Sequence, residues 1–305
     1  MSQDRDSGDA SAAPFAEQVK GAVIWRTGSQ LAGQLIAWGS TFFVIRLLDP
    51  ADYGLVAMTG VVLVFLNLFN GWGFASALVR DEALDQRRIR QAFGMLLLLN
   101  GGLAAAQFAV APLAAGFFHQ PLVADLLRVQ ALFYLANPFI ALGHALLSRR
   151  MDFRRLGQVA LLAASASAIA AVACALAGLG VWTLVIAPGV HWLVQGTGFA
   201  LAARLWIRPS FSFRGAGVIA RYGGAMILVQ FCWFVQSQAD VFLGGRLLDA
   251  HTLGLYTTAL FLTQILAAKF IPPLNEVAFA PYSRLQGEDG AVGAAFAKAG
   301  RVVMA

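Results

Sequence analysis

Charge is what this sequence has least of: Asp, Glu, Lys and Arg make up 12% of its 305 residues, against 59% hydrophobic. A soluble domain carries roughly 25% charge. The shortage excludes an ordinary globular fold and points to a chain that crosses a bilayer several times. Cysteine is nearly absent. Cys174 and Cys232 both lie inside apolar runs, which excludes a disulfide framework and any cysteine-based metal spacing. His144 and His191 are isolated, without ligand spacing, so no metal is expected. A nucleotide-binding loop of the form GxxxxGK[ST] and a nucleophile motif are both missing, so nothing points to catalysis or to a cofactor. Acidic residues are fewer than basic ones, and the balance of +6 with a pI near 9.8 would suggest nucleic acid in a soluble chain. Here the basic residues occupy short loops, where the positive-inside rule accounts for them, and no nucleic-acid partner is expected.

Residues 1–20 are polar and mixed in charge, with Asp4, Arg5, Asp6, Asp9 and Glu17. They lack the basic start, short apolar stretch and small-residue cut site of a signal peptide. They read as a disordered cytoplasmic tail.

What the chain does have is one stretch used twice. Arg46-Leu-Leu-Asp-Pro-Ala-Asp-Tyr-Gly-Leu55 returns as Arg246-Leu-Leu-Asp-Ala-His-Thr-Leu-Gly-Leu255, matching at six of ten positions at an offset of 200 residues. The shared Arg, Asp and Gly are not apolar, so chance identity within hydrophobic sequence is the weaker explanation. Each copy lies between two long apolar runs and reads as a tight polar turn joining two membrane helices. Self-similarity at that period predicts a duplicated transmembrane lobe.

A bilayer core needs about 20 apolar residues per helix. Runs near 22–48, 55–79, 91–117, 126–148, 156–177, 181–203, 219–246 and 254–279 qualify, and a ninth begins near 291. The fold class predicted is therefore all-α and polytopic, with two pseudo-repeated lobes of six helices, the second incomplete. The expected boundaries are the tail 1–20, a first lobe over 21–205, a cytoplasmic linker over 206–218 and a partial second lobe over 219–305. Alternate connections are rich in Arg: Arg80, Arg87, Arg88 and Arg90; Arg149, Arg150, Arg154 and Arg155; Arg204, Arg208 and Arg214; Arg284. The intervening ones hold no cation. That asymmetry places the N terminus in the cytoplasm.

The early helices are rich in Gly, Ala and Ser, which lets backbones approach where no hydrophobic force acts between helices. Pro112, Pro138, Pro188, Pro272 and Pro273 each free a backbone carbonyl within or near a span. Charges inside spans are costly, at least about 2.5–3.5 kcal/mol at mid-bilayer. Arg26 lies near the inner end of the first helix, and Lys269 about 22 Å down the eighth at 1.5 Å per residue. Both fall in the inner half of the bilayer, where they could face one cavity and hold an anion such as a diphosphate. Snorkelling to lipid phosphate is the plain alternative. Glu276, seven residues on, could partner Lys269. Asp240 could serve ion coupling, or pair with Arg46 or Arg246 as a lock between lobes. Asp125 and Arg128 are spaced for an i, i+3 ion pair at the membrane rim. Neutral hydrogen-bonding groups are plentiful in the spans: Gln30, Gln34, Asn67, Asn70, Asn137, Gln195, Gln230, Gln236, Gln238 and Gln264. A sugar-bearing substrate would need such a lining; helix-to-helix hydrogen bonds would use the same residues.

Four segments resemble the Wzx-type oligosaccharide flippases, in the superfamily of the multidrug extrusion carriers and the lipid II flippase. They are the first copy of the repeat (residues 46–55), Ala145-Leu-Leu-Ser-Arg-Arg-Met-Asp-Phe-Arg-Arg-Leu-Gly157, Gly178-Leu-Gly-Val-Trp-Thr-Leu184 and Gln238-Ala-Asp-Val-Phe-Leu-Gly-Gly245. The likeness covers residues 20–305 and is strongest to the exopolysaccharide and colanic-acid-type exporters. It implies a central cationic cavity that alternates between the two sides of the bacterial inner membrane. It also implies a polyprenyl-diphosphate-linked oligosaccharide as substrate, with a polymerase and glycosyltransferases as possible partners. Cationic cavity residues occur in helices 1 and 8 of related carriers, and Arg26 and Lys269 match by helix and depth. The departure is length: such carriers have twelve or more helices, so the chain is expected to be a C-terminally truncated member. A drug/cation antiporter would want an acidic cavity in helix 1, which has Arg26 and no carboxylate. A membrane glycosyltransferase or polymerase would want carboxylate clusters and a large outer loop, and the outer loops are short.

Overall fold

The computed structural model describes residue 25, residues 28–68, 86–150, 152–205, 207, 209–211 and 217–264, with side chains in the last stretch described from 230 onward. The chain divides into two compact units, Met1–Leu255 and Tyr256–Ala305. All packing given below lies within the first; of the second, residues 256–264 continue a helix.

Among the described residues the regular structure is helix alone, joined by short connections. In order the helices are α1 (28–45), α2 (Pro50–Asn67), α3 (Gln86–Phe118), α4 (Leu122–Ala131), α5 (Asn137–Arg149), α6 (Phe153–Leu176), α7 (Thr183–Ala202), α8 (Gly217–Leu247) and α9 (250–264). Among them, Pro50–Asn67, Gln86–Phe118, Leu122–Arg149, Phe153–Leu176 and Gly180–Ala202 are long and apolar enough to cross a membrane. The chain is a multi-pass membrane protein, as its composition requires.

The repeated stretch is a helix start more than a turn. Asp49 accepts the Ala51 N–H at 2.8 Å, and Pro50 occupies the first helical turn, where a missing N–H costs nothing. In the second copy Asp249 accepts the N–H groups of His251 and Thr252, both at 3.1 Å, and the Thr252 hydroxyl at 2.6 Å. Those bonds hold the Asp249 carboxyl below its ordinary range. The helices thus begin at 50 and 250, earlier than the apolar runs at 55 and 254 suggest. A cap is polar by necessity, so a hydrophobicity window excludes it.

The fourth span differs too. The run 126–148 predicts one helix, but α4 gives way to a 3₁₀ turn over Leu132–Leu135 before α5 starts with Pro138 in its first turn. Proline cannot donate to the preceding turn, and the ladder resets there. The α6–α7 connection is tight because Gly178 and Gly180 take φ of 71° and 53°, a region costly for other residues. Of the linker, Ser210 donates its N–H to the Arg90 carbonyl at 2.9 Å, and its own carbonyl lies against Gly94 of α3.

Polar groups join the helices where lipid would leave them unsatisfied. Gln107 reaches the Leu127 carbonyl at 2.7 Å, and Asn137 donates to Asn100 at 3.0 Å. Around them Met58, Val61, Ala111, Phe118, Leu127 and Val241 form an apolar core shared by α2, α3, α4 and α8.

Candidate functional site

A cavity of about 490 Å³ opens between α1, α6 and α7, with Tyr53 of α2 in its wall. Small residues make the room. A methyl group added at Gly33 would lie 3.6 Å from the Ala164 Cβ, in ordinary contact, and Gly157 lies directly against Ser29. Ala160, Ala168 and Ala171 continue the wall along α6. The polar lining comes from Gln30 and Gln34 on α1, Tyr53 on α2, and Thr183, His191 and Gln195 on α7. Among the described residues, no Asp, Glu, Lys or Arg lines it.

Two motif segments far apart in sequence meet beside Tyr53. The Asp52 carboxylate lies beside Gly180, where an added methyl group would come within 3.4 Å of it. The repeat stretch is thereby joined to the Gly-Leu-Gly-Val-Trp turn. Each segment then contributes its next polar residue to the cavity, Tyr53 from the first and Thr183 from the second. Thr183 is 1% exposed, and neither its hydroxyl oxygen nor that of Tyr53 has a hydrogen-bond partner. Other hydroxyls of the lining are satisfied by backbone: Ser40 and Thr41 by the Ala37 carbonyl at 2.9 and 2.8 Å, Ser167 by that of Ala187 at 2.8 Å. Pro188 has no N–H, so the Leu184 carbonyl, in the same wall, lacks its usual helix donor.

The residues singled out from sequence fare unequally. Arg26, Lys269 and Glu276 lie outside the described residues. The Arg154 guanidinium stands 5.6 Å from the Trp25 ring centroid, just ahead of α1. Asp240 accepts the N–H of its neighbour Val241 at 2.8 Å. Arg246 reaches the Phe117 carbonyl at 2.6 Å and a ring nitrogen of His119 at 2.7 Å, binding α8 to the C-terminal end of α3. Arg46 is exposed. Asp125 and Arg128 form the ion pair their spacing suggests, at 3.0 Å. Gln30, Gln34 and Gln195 are in the cavity wall. Tyr53 and Thr183 were legible only as members of turn motifs, since nothing local marks a hydroxyl that will lack a partner.

The two copies of the repeat touch. Gly54 packs against the Ala250 carbonyl, and Gly254 against the Pro50 carbonyl. These are the same two positions taken in exchange, which is the signature of a contact about a twofold axis. Both helix starts therefore lie at one membrane surface.

The chain is thus a helical, multi-pass membrane protein in which two copies of a repeat meet by exchange of the same positions. The profile of the polysaccharide biosynthesis protein family matches residues 43–305, and the chain belongs to that family. It is 28% identical over 214 residues to the succinoglycan biosynthesis transport protein ExoT of Rhizobium meliloti (strain 1021), covering 70% of this chain and 43% of that one. It is 19% identical over 249 residues to the lipopolysaccharide biosynthesis protein WzxC of Escherichia coli (strain K12), covering 80% and 50%. It is 21% identical over 232 residues to the teichuronic acid biosynthesis protein TuaB of Bacillus subtilis (strain 168), covering 75% and 48%. The chain spans about half the length of these relatives. No solved structure matches it. Family and helices together place it in the bacterial inner membrane.

Proposed function

We propose that the protein of which this chain is part moves a polyprenyl-diphosphate-linked oligosaccharide from the cytoplasmic to the outer leaflet, for exopolysaccharide or lipopolysaccharide synthesis. It does so by alternating access, without catalysing a bond change. The observation that carries the reading is the exchange contact of Gly54 and Gly254 with the Ala250 and Pro50 carbonyls. Two copies of one helix-start motif in mutual contact can separate and rejoin as rigid bodies, which is how repeat-built carriers expose a site to alternate sides. The relatives, proteins of succinoglycan transport and of lipopolysaccharide and teichuronic acid biosynthesis, suggest the substrate class. Arg26 and Lys269 are the residues proposed to hold the diphosphate, because a cation pair in the inner leaflet compensates that charge best.

The test is reconstitution of the full-length protein with a fluorescent polyprenyl-diphosphate oligosaccharide in one leaflet. Time-dependent appearance of the label in the other leaflet is expected. A rate equal to that of empty vesicles overturns the reading. Lys269→Gln is expected to abolish polymer export in cells at normal membrane level of the protein; normal export would remove Lys269 from the site.

A further inference from the structure

We propose that the groove between the start of α1 and α6 is a binding site for an anionic phospholipid, with Arg154 on its phosphate and one acyl chain along Trp25 and Leu161. The groove has a volume of about 240 Å³, and Trp25, Gly28, Ser29 and Leu161 line it. Small residues open it. A methyl group added at Gly28 would meet nothing within 4 Å, and Gly157 lets α6 lie against Ser29 and the Trp25 carbonyl. Arg154 and Leu161 are seven residues apart on α6, so they share one face, with the cation about 10 Å nearer the helix start. The arginine-rich connections predict a cytoplasmic position for that start. A phospholipid of the inner leaflet has the same order, with its phosphate at the surface and its chains below.

The headgroup must supply the selectivity. An acyl chain that leaves the bilayer for an apolar groove gains little, since lipid tails are as apolar as the groove wall. A phosphate gains more at Arg154, which offers a full charge and a planar fork of donors matched to its oxygens. Among the described residues no carboxylate pairs with Arg154. Arg155 beside it is held by Asp152 at 3.2 Å and reaches the Ala202 carbonyl at 3.4 Å. The Arg154 guanidinium instead stands over the Trp25 ring, 5.6 Å from its centroid, and the same ring lines the groove. That contact uses the charge of the cation rather than its hydrogen-bond donors. Arg150, exposed in the same connection, adds positive charge. A zwitterionic headgroup would bring its own ammonium to these cations and an anionic one would not, so the site favours the anionic lipid.

Full-length protein purified in detergent is titrated with phosphatidylglycerol and, separately, with phosphatidylethanolamine, and bound lipid is counted by native mass spectrometry. Phosphatidylglycerol is expected to bind at least about fivefold more tightly, the factor for one basic side chain near a lipid surface. Arg154→Gln is expected to remove that preference. Gly28→Phe, which fills the groove and touches no charge, is expected to weaken phosphatidylglycerol binding. Arg87→Gln, on another arginine-rich connection, should bind as the parent does. Arg154 and Gly28 are exposed, so their variants should keep the parent's melting temperature in lipid-free detergent. In vesicles, phosphatidylglycerol with brominated chains should quench tryptophan emission more than brominated phosphatidylethanolamine does, and the excess should vanish in Trp25→Phe.

Equal binding of the two lipids by the parent overturns the site, and so does parent-like phosphatidylglycerol binding in either Arg154→Gln or Gly28→Phe. An equal loss in Arg87→Gln also overturns it, by reducing it to a general basic surface. Displacement of bound phosphatidylglycerol by an equimolar polyprenyl-diphosphate oligosaccharide would make the groove part of the substrate path and overturn the phospholipid assignment; retention supports it. The lipid counts need no translocation, so this proposal and the flippase reading stand or fall separately.

Discussion

Single polar side chains in this protein have roles set by what lies within hydrogen-bond reach. Asn100 is fully buried, donates to the Leu96 carbonyl at 2.9 Å and accepts from Asn137 at 3.0 Å. Asn137→Leu removes the interhelical bond and leaves the Asn100 oxygen in an apolar setting. The expected loss is about 0.6–1.7 kcal/mol, the range for such bonds within membranes, read from the denaturation midpoint in detergent. Asp249 gives a pH test. Its folded carboxyl is more acidic than the ordinary 3.8 because Thr252 and His251 donate to it. A lowered pKa contributes stability above the unfolded value and loses it as pH falls through the folded one. The gap in melting temperature between the parent and Asp249→Ala should therefore be constant from neutral pH down to about pH 4, and should narrow only below that. A gap that closed near neutrality would mean another group governs this cap.

At the scale of elements, glycines decide where helices meet. Gly54 and Gly254 bring the first turns of α2 and α9 to backbone contact, and Gly245 lets α8 lie on Phe118, where an added methyl group would come within 2.7 Å of the ring. Phe242 of α8 stacks on Phe117 at 4.8 Å between ring centroids, and Arg246 holds the same corner. Gly54→Ala or Gly254→Ala would drive a methyl group into an opposing carbonyl, an overpacking that typically costs about 1–3 kcal/mol. We expect a lower melting temperature and faster maleimide labelling of a reporter cysteine placed at His251. Unchanged stability and labelling would mean that the two helix starts do not pack this closely.

At the scale of the whole molecule, the arginine-rich connections place the N terminus and the Arg149–Arg155 region in the cytoplasm, and the repeat helix starts outside. In a background with Cys174 and Cys232 replaced by Ala, a single cysteine at His251 should react with an impermeant maleimide in intact cells. One at Arg150 should react only after the membrane is opened. The reverse pattern would invert the topology. That orientation puts Tyr53 and Thr183 toward the outer surface, and the Trp25 and Arg154 contact toward the cytoplasm.

The sequence alone determined the class, an all-helical multi-pass membrane protein, and predicts an orientation, because each follows from a sum over many residues: apolar length against bilayer thickness, and arginines counted loop by loop. It also determined that the chain is built on a repeat, since the copies at 46–55 and 246–255 are identical where polar residues are least expected by chance. It named Gln30, Gln34 and Gln195 as candidates for a sugar-compatible lining. Only the tertiary structure decided that these three share a cavity, that Arg246 binds Phe117 and His119, and that the fourth span is broken ahead of Pro138. It also decided that two turn motifs place an unpartnered hydroxyl apiece in one wall. The reason is physical. Whether a hydroxyl is satisfied, or a glycine touches a carbonyl, depends on atoms some 130 to 200 residues away along the chain, and no local pattern carries that distance.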